Sequence, residues 1–145
     1  MNIKVIYGSE TGNAETLANN TNDALKSAGF NAEVCDMDNT SVEALAASDV
    51  VVAITSTWGD GEAPSNAIEL HSQLENTSAD LSSVKFAVMG IGMSSFDQFC
   101  KAAIDFDAFL EKAKATRILD IELCDDDYDD KYPTWIENLI SALKA

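Results

Sequence analysis

Basic residues are scarce in this 145-residue chain: Lys and Arg number 9 against 25 Asp and Glu, a net charge of −16. Such a polyanion repels nucleic-acid phosphates and anionic membrane surfaces, which makes both poor partners and leaves a basic protein surface as the natural complement. Acidity that serves solubility alone is the other reading. Cysteine is sparse: Cys35, Cys100 and Cys124 are odd in number, widely spaced and form no CxxC pair. That argues against a disulfide framework or a metal site and fits a reducing compartment. Histidine occurs once, at His71, so no Ser-His or Cys-His pair is readily assembled, and a place on one helix face is expected for it. Long apolar runs are missing too. The longest, Val50 to Ile54, is far short of the roughly 20 residues of a membrane-spanning helix. The start, Met1-Asn2-Ile3-Lys4-Val5, leads into strand-like sequence without the charged and apolar regions of a signal peptide, so the cytoplasm is the expected location.

What is present suits one domain over residues 1–145 with a single core, since 46% of the residues are hydrophobic. Strand and helix alternate throughout. Ile3 to Tyr7 is a β-branched and aromatic run that stops at Gly8; Ala14, Leu17, Ala18, Thr21, Leu25 and Ala28 then mark one helix face, with Gly29 as its C-terminal cap. Ala32 to Cys35 reads as a second strand and Val42 to Ala47 as a short helix. Asp49 to Thr55 is a nearly continuous apolar strand, as expected for one buried on both faces. Helices through Ala67, Leu70 and Leu74, through Phe99, Ala103, Phe106, Leu110 and Ala113, and through Ile136, Leu139, Ile140 and Leu143 alternate with strands at Phe86–Met89 and Arg117–Leu123. Five strands alternating with helices predict an α/β fold: a doubly wound, five-stranded parallel sheet with helices on both faces.

In such sheets ligands bind beyond the carboxyl ends of the strands, near the point where strand order reverses. Three unusual loops fall there. Gly8-Ser9-Glu10-Thr11-Gly12-Asn13 opens a helix, whose unpaired N–H groups and dipole favour an anion, and Ser9, Thr11 and Asn13 add side-chain donors. No Lys follows, as a nucleoside-triphosphate loop requires, so a single terminal phosphate suits the segment better than a triphosphate with magnesium. An ordinary capped helix start fits the same residues. In Ser56-Thr57-Trp58-Gly59-Asp60-Gly61-Glu62, the Trp stands between small residues and offers a flat face for a planar ring, while Gly59 and Gly61 allow close backbone approach. Trp58 folded back into the core is the alternative. Gly90-Ile91-Gly92-Met93-Ser94-Ser95-Phe96 offers two more glycines and a second aromatic face, unless Phe96 is the first core residue of the next helix.

Together these segments, extended through Ala14-Glu15, Ala63-Pro64 and Asp97-Gln98-Phe99-Cys100, resemble the flavodoxin family and the FMN domains of diflavin reductases such as sulfite reductase and cytochrome P450 reductase. They occur in family order over nearly the whole chain. The resemblance implies strand order 2-1-3-4-5, for which flavodoxin is itself the standard example, and FMN as cofactor. It also implies that Ser9, Thr11, Asn13 and the amides of Glu10 and Gly12 hold the phosphate. Trp58 would flank one face of the isoalloxazine ring, and Phe96 the other, where the family commonly has Tyr. Ser56, Thr57, Asp60, Gly61, Gly90, Ile91, Gly92, Phe99 and Cys100 complete the implied cofactor-binding set. Met93 stands where many members have Asp or Asn, and Ala14 replaces the usual flavodoxin Thr, matching the diflavin pattern. No long insertion interrupts the fifth strand, which implies a short-chain member.

The implied function is a low-potential electron carrier, a monomer that is not itself an enzyme, shuttling electrons between a flavodoxin reductase-type donor and an acceptor enzyme or cytochrome, both basic redox proteins. On one-electron reduction flavin N5 takes a proton, and a flipped Gly59 carbonyl accepts that hydrogen. Asp60, Glu62 and the run Asp120, Glu122, Asp125, Asp126, Asp127, Asp129 and Asp130 supply negative potential and a docking surface, or simply a solvated face. The competing readings are a stand-alone flavin or quinone reductase oxidising NAD(P)H, a non-redox flavin-storage or partner-binding role, and a phospho-accepting signalling domain. The last needs an Asp where Thr55-Ser56-Thr57 stands.

Overall fold

The computed structural model describes residues 2–8, 13–56, 68–77, 79–91, 101–124 and 128–144. Strands β1 (Asn2–Gly8), β2 (Asn31–Asp36), β3 (Val50–Ser56), β4 (Lys85–Ile91), β5 (Thr116–Arg117) and β6 (Glu122–Cys124) alternate with helices α1 (Asn13–Ser27), α2 (Val42–Ala46), α3 (Ile68–Asn76), α4 (Lys101–Lys112) and α5 (Tyr128–Lys144). All pairings are parallel, in the order β2-β1-β3-β4-β5, with β6 also on β4. This is the strand order that the resemblance implies.

The sheet's two faces carry separate apolar layers. On one, Ile6, Val51, Ala53, Phe86 and Val88 meet Leu45 of α2, Leu70 and Leu74 of α3, and Ala103, Phe106 and Leu110 of α4. On the other, Ile3, Val5, Val50, Val52, Ile54, Ala87 and Met89 meet Leu17, Ala18 and Leu25 of α1 and Trp135, Leu139 and Leu143 of α5. Every residue from Val50 to Ile54 has zero exposure, which explains its unbroken apolar run: both faces of β3 are covered. Each such Val or Ile stabilises the fold by about 1.5–3 kcal/mol relative to an exposed side chain.

Helix α1 stops as expected at Gly29, whose φ of 92° only a residue without Cβ adopts easily. Gly29 N–H donates to Lys26 O at 3.0 Å and Phe30 N–H to Leu25 O at 3.0 Å, the paired bonds of a Schellman cap.

One expectation is extended and one changes. Helix α5, marked in the sequence by Ile136, Leu139, Ile140 and Leu143, starts at Tyr128 and runs through Pro133, because Tyr132 and Trp135 extend its apolar stripe towards the N-terminus. The continuous fifth strand is in fact two pieces. From Phe86↔Arg117 to Met89↔Glu122, β4 advances three residues while its neighbour advances five. The surplus leaves the ladder between the two pairings. Arg117 anchors the break: Nη2 donates to Asp107 Oδ2 (2.5 Å) and Glu111 Oε2 (2.6 Å), Nε to Asp107 Oδ1 (3.2 Å), and the guanidinium lies 5.5 Å from the Phe86 ring centroid.

Candidate functional site

The register aligns the carboxyl ends of the strands. Gly8 of β1 pairs with Thr55 of β3, Thr55 with Gly90 of β4, and Gly90 with Leu123 of β6. One step further, Ser56 pairs with Ile91 and Ile91 with Cys124. The chain leaves β1, β3 and β4 from this edge, on both sides of the β1/β3 boundary where strand order reverses. Gly8, Thr55, Gly90 and Ile91 are all buried.

Helix α1 begins at Asn13, shortly after Gly8, and Ala14 has zero exposure in the layer that also holds Ile54 and Ile91. The head of a 15-residue helix is therefore seated against the strand ends, and its first N–H groups have no partner within the helix. An anion belongs at such a place. Glu15 in the first turn is exposed, so water screens its carboxylate. Tyr7, one residue before the edge, has its phenol pKa raised, chiefly by burial and then by the carboxylates of Glu15 and Asp36 and by Cys35. Sequence alone places Tyr7 only in a strand; the neighbouring charges come from α1 and β2. At the far side of the row, Lys131 Nζ donates to Leu123 O at 2.9 Å.

The profile of the flavodoxin family matches residues 5–135. The chain belongs to the flavodoxin family. Flavodoxins and the related sulfite reductase flavoproteins bind FMN. The chain is 35% identical over 144 residues to the sulfite reductase [NADPH] flavoprotein alpha-component of Thiocapsa roseopersicina, covering 99% of this chain and 28% of that protein. The Bacillus subtilis protein of the same name is 35% identical over 142 residues, covering 97% and 24%. The chain thus spans about a quarter of the length of these relatives. Among solved structures, oxidised flavodoxin 2 from Bacillus cereus is 29% identical with a TM-score of 0.84, covering 98% of this chain and 97% of that one. A cysteine-to-serine mutant of flavodoxin from Pseudomonas aeruginosa has a TM-score of 0.88 at 22% identity, covering 100% of both chains, a likeness of fold.

Of the expected cofactor-binding residues, the structure brings Ala14, Gly90 and Ile91 to one strand edge, with the backbones of Asn13 and Ser56. Ser9, Glu10, Thr11, Gly12, Thr57, Trp58, Gly59, Asp60, Gly61, Gly92, Met93, Phe96, Phe99 and Cys100 lie outside the described residues, as do Glu62, Asp125, Asp126 and Asp127. The described frame fits FMN. A helix head supplies donors for a phosphate, and Gly8 and Gly90, on either side of Thr55, carry no side chain at this strand edge. Asp120, shortly before β6, and Asp130, in α5, are exposed, and Glu122, the first residue of β6, is half-buried. No described helix is long and apolar enough to cross a membrane.

Proposed function

We propose that residues 1–145 form a single FMN-binding domain that carries electrons at low potential between a reductase and an acceptor redox protein. The observation that carries the reading is the alignment of Gly8, Thr55 and Gly90, which roots three glycine-containing segments along one edge. Bound FMN supplies one-electron redox chemistry. Ser9, Thr11, Asn13 and the amides of Glu10 and Gly12 would hold its phosphate, Trp58 and Phe96 would enclose the ring, and the Gly59 carbonyl would accept the hydrogen at N5. Asp60, Glu62, Asp120 and Glu122 disfavour added negative charge on the ring. One such carboxylate at ~10 Å and an effective ε near 20 costs about 1.7 kcal/mol before salt screening, so a few make a strong reductant.

The relatives are named as components of an NADPH-dependent sulfite reductase, which favours an NADPH-oxidising flavoprotein as donor. Excess carboxylates favour basic docking faces on donor and acceptor, with association that is fast and salt-sensitive. The test is the visible spectrum of the purified protein, followed by stepwise reduction and then addition of NADPH. A yellow protein that is reduced in one-electron steps, but consumes NADPH only when a reductase is added, is expected. A colourless preparation that refuses FMN at micromolar concentration would sink the proposal, and NADPH turnover by the isolated holoprotein would make it an enzyme instead.

A further inference from the structure

Helices α3 and α4 take up the chain directly after segments 57–67 and 92–100, to which the proposed function assigns the two faces of the FMN ring. The spacing between the heads of these helices therefore sets how far apart the two segments are rooted. Most of their contact is apolar: Leu70 and Leu74 share one core with Ala103, Phe106 and Leu110. Burial of this kind is non-directional and tolerates sliding. Among the described residues, His71 makes a directional contact between the two helices. Its Nε2 lies 3.2 Å from the carbonyl oxygen of Ala102, at the start of α4. A carbonyl only accepts, so the tautomer with hydrogen on Nε2 makes this bond. The imidazole also stands edge-on to Phe109 at 5.0 Å and tilted to Phe106 at 6.3 Å, which holds the ring plane. A half-buried imidazole in the first turn of one helix is thus pinned to the first turn of the next.

We infer that His71 is a positioning residue for the flavin: its link to Ala102 O sets the gap into which the ring fits. This rests on the FMN reading above. The test compares wild type, His71→Leu and His71→Gln by FMN titration of the apoprotein, melting of the apoprotein, and visible circular dichroism of the bound flavin. Leucine fills the space without a donor; glutamine restores an N–H of similar reach. Loss of one neutral hydrogen bond that acts on the bound state corresponds to about a 3–10-fold weaker FMN affinity. His71→Leu is expected to show that loss with an altered flavin dichroism band, and His71→Gln to recover to within about twofold of wild type. Unchanged FMN affinity in His71→Leu, with only a lower apoprotein melting temperature, would reduce His71 to a fold contact and overturn the inference. Equal weakening in both variants would also overturn it, by assigning the effect to ring packing. Failure of wild type to bind FMN would instead remove the FMN reading itself.

Discussion

Tyr132 Oη lies 2.7 Å from Thr21 Oγ1, joining α5 to α1 across 111 residues of sequence. Thr21 Oγ1 lies 2.8 Å from Leu17 O, to which it donates, so its single hydrogen is used and the tyrosine is the donor between them. Tyr132→Phe removes this donor while keeping the ring against Trp135. The expected cost is about 0.5–1.5 kcal/mol, a fall in melting temperature of about 2–5 °C. Burial, the largest influence, raises the Tyr132 pKa above its ordinary value of 10.0, and the Asp23 carboxylate adds to it. The folded state therefore holds this proton more tightly than the unfolded one. The contribution is complete below the unfolded pKa and is lost as pH rises through the folded one. Urea midpoints measured from pH 8 upward should fall above about pH 10 in wild type, and less steeply in Tyr132→Phe. Parallel pH profiles would refute the assignment.

Lys114 has a φ of 78°, a left-handed conformation that costs a residue with Cβ about 1–2 kcal/mol. It closes α4 as Gly29 closes α1: Lys114 N–H donates to Glu111 O at 2.9 Å and Ala115 N–H to Leu110 O at 3.1 Å. Lys114→Gly should raise stability by about 0.5–1 kcal/mol, after allowing for the greater freedom of glycine in the unfolded chain. Denaturant unfolding checks this; a lower midpoint would contradict the cap geometry.

Arg117 should matter more than its place on an edge strand suggests. Its partner Asp107 has a side chain only 10% exposed, whereas Glu111 is 63% exposed. Arg117→Met strands a largely buried carboxylate and is expected to cost about 1–3 kcal/mol; Glu111→Gln should cost less than about 1 kcal/mol. Equal effects in thermal melts would mean that burial of Asp107 does not decide the energetics.

Gly59→Val probes the proposed hydrogen-bond acceptor at flavin N5. Glycine accommodates either orientation of its peptide group, and a β-branched residue does not. The first one-electron midpoint potential of the holoprotein should become more negative than in wild type. An unchanged potential in a spectroelectrochemical titration would remove Gly59 from that role.

Paired neutralisation, Asp120→Asn with Glu122→Gln, should raise the midpoint potentials and flatten the fall of electron-transfer rate with ionic strength when a basic redox partner is used. Stopped-flow rates that do not change between low and high salt in wild type would refute electrostatic docking.

Much of this architecture was legible in the chain itself. An apolar run such as Val50–Ile54 has few fates other than a strand covered on both faces, and Gly29 ends a helix because it lacks Cβ; both are local consequences of residue chemistry. The loop motifs were equally local, because close backbone approach and stacking need glycines and aromatics next to one another in sequence. Other features depend on a partner that lies far away along the chain. The two surplus residues opposite β4 exist only when two strands are counted against each other, so a strand-like stretch such as Arg117–Leu123 gives no sign that it must break. Thr21 meets Tyr132, and His71 meets Ala102, because helices pack side by side on the sheet. Hydrophobic periodicity says which face of a helix turns inward, but it does not say which neighbour that face will touch; the tertiary packing decides that.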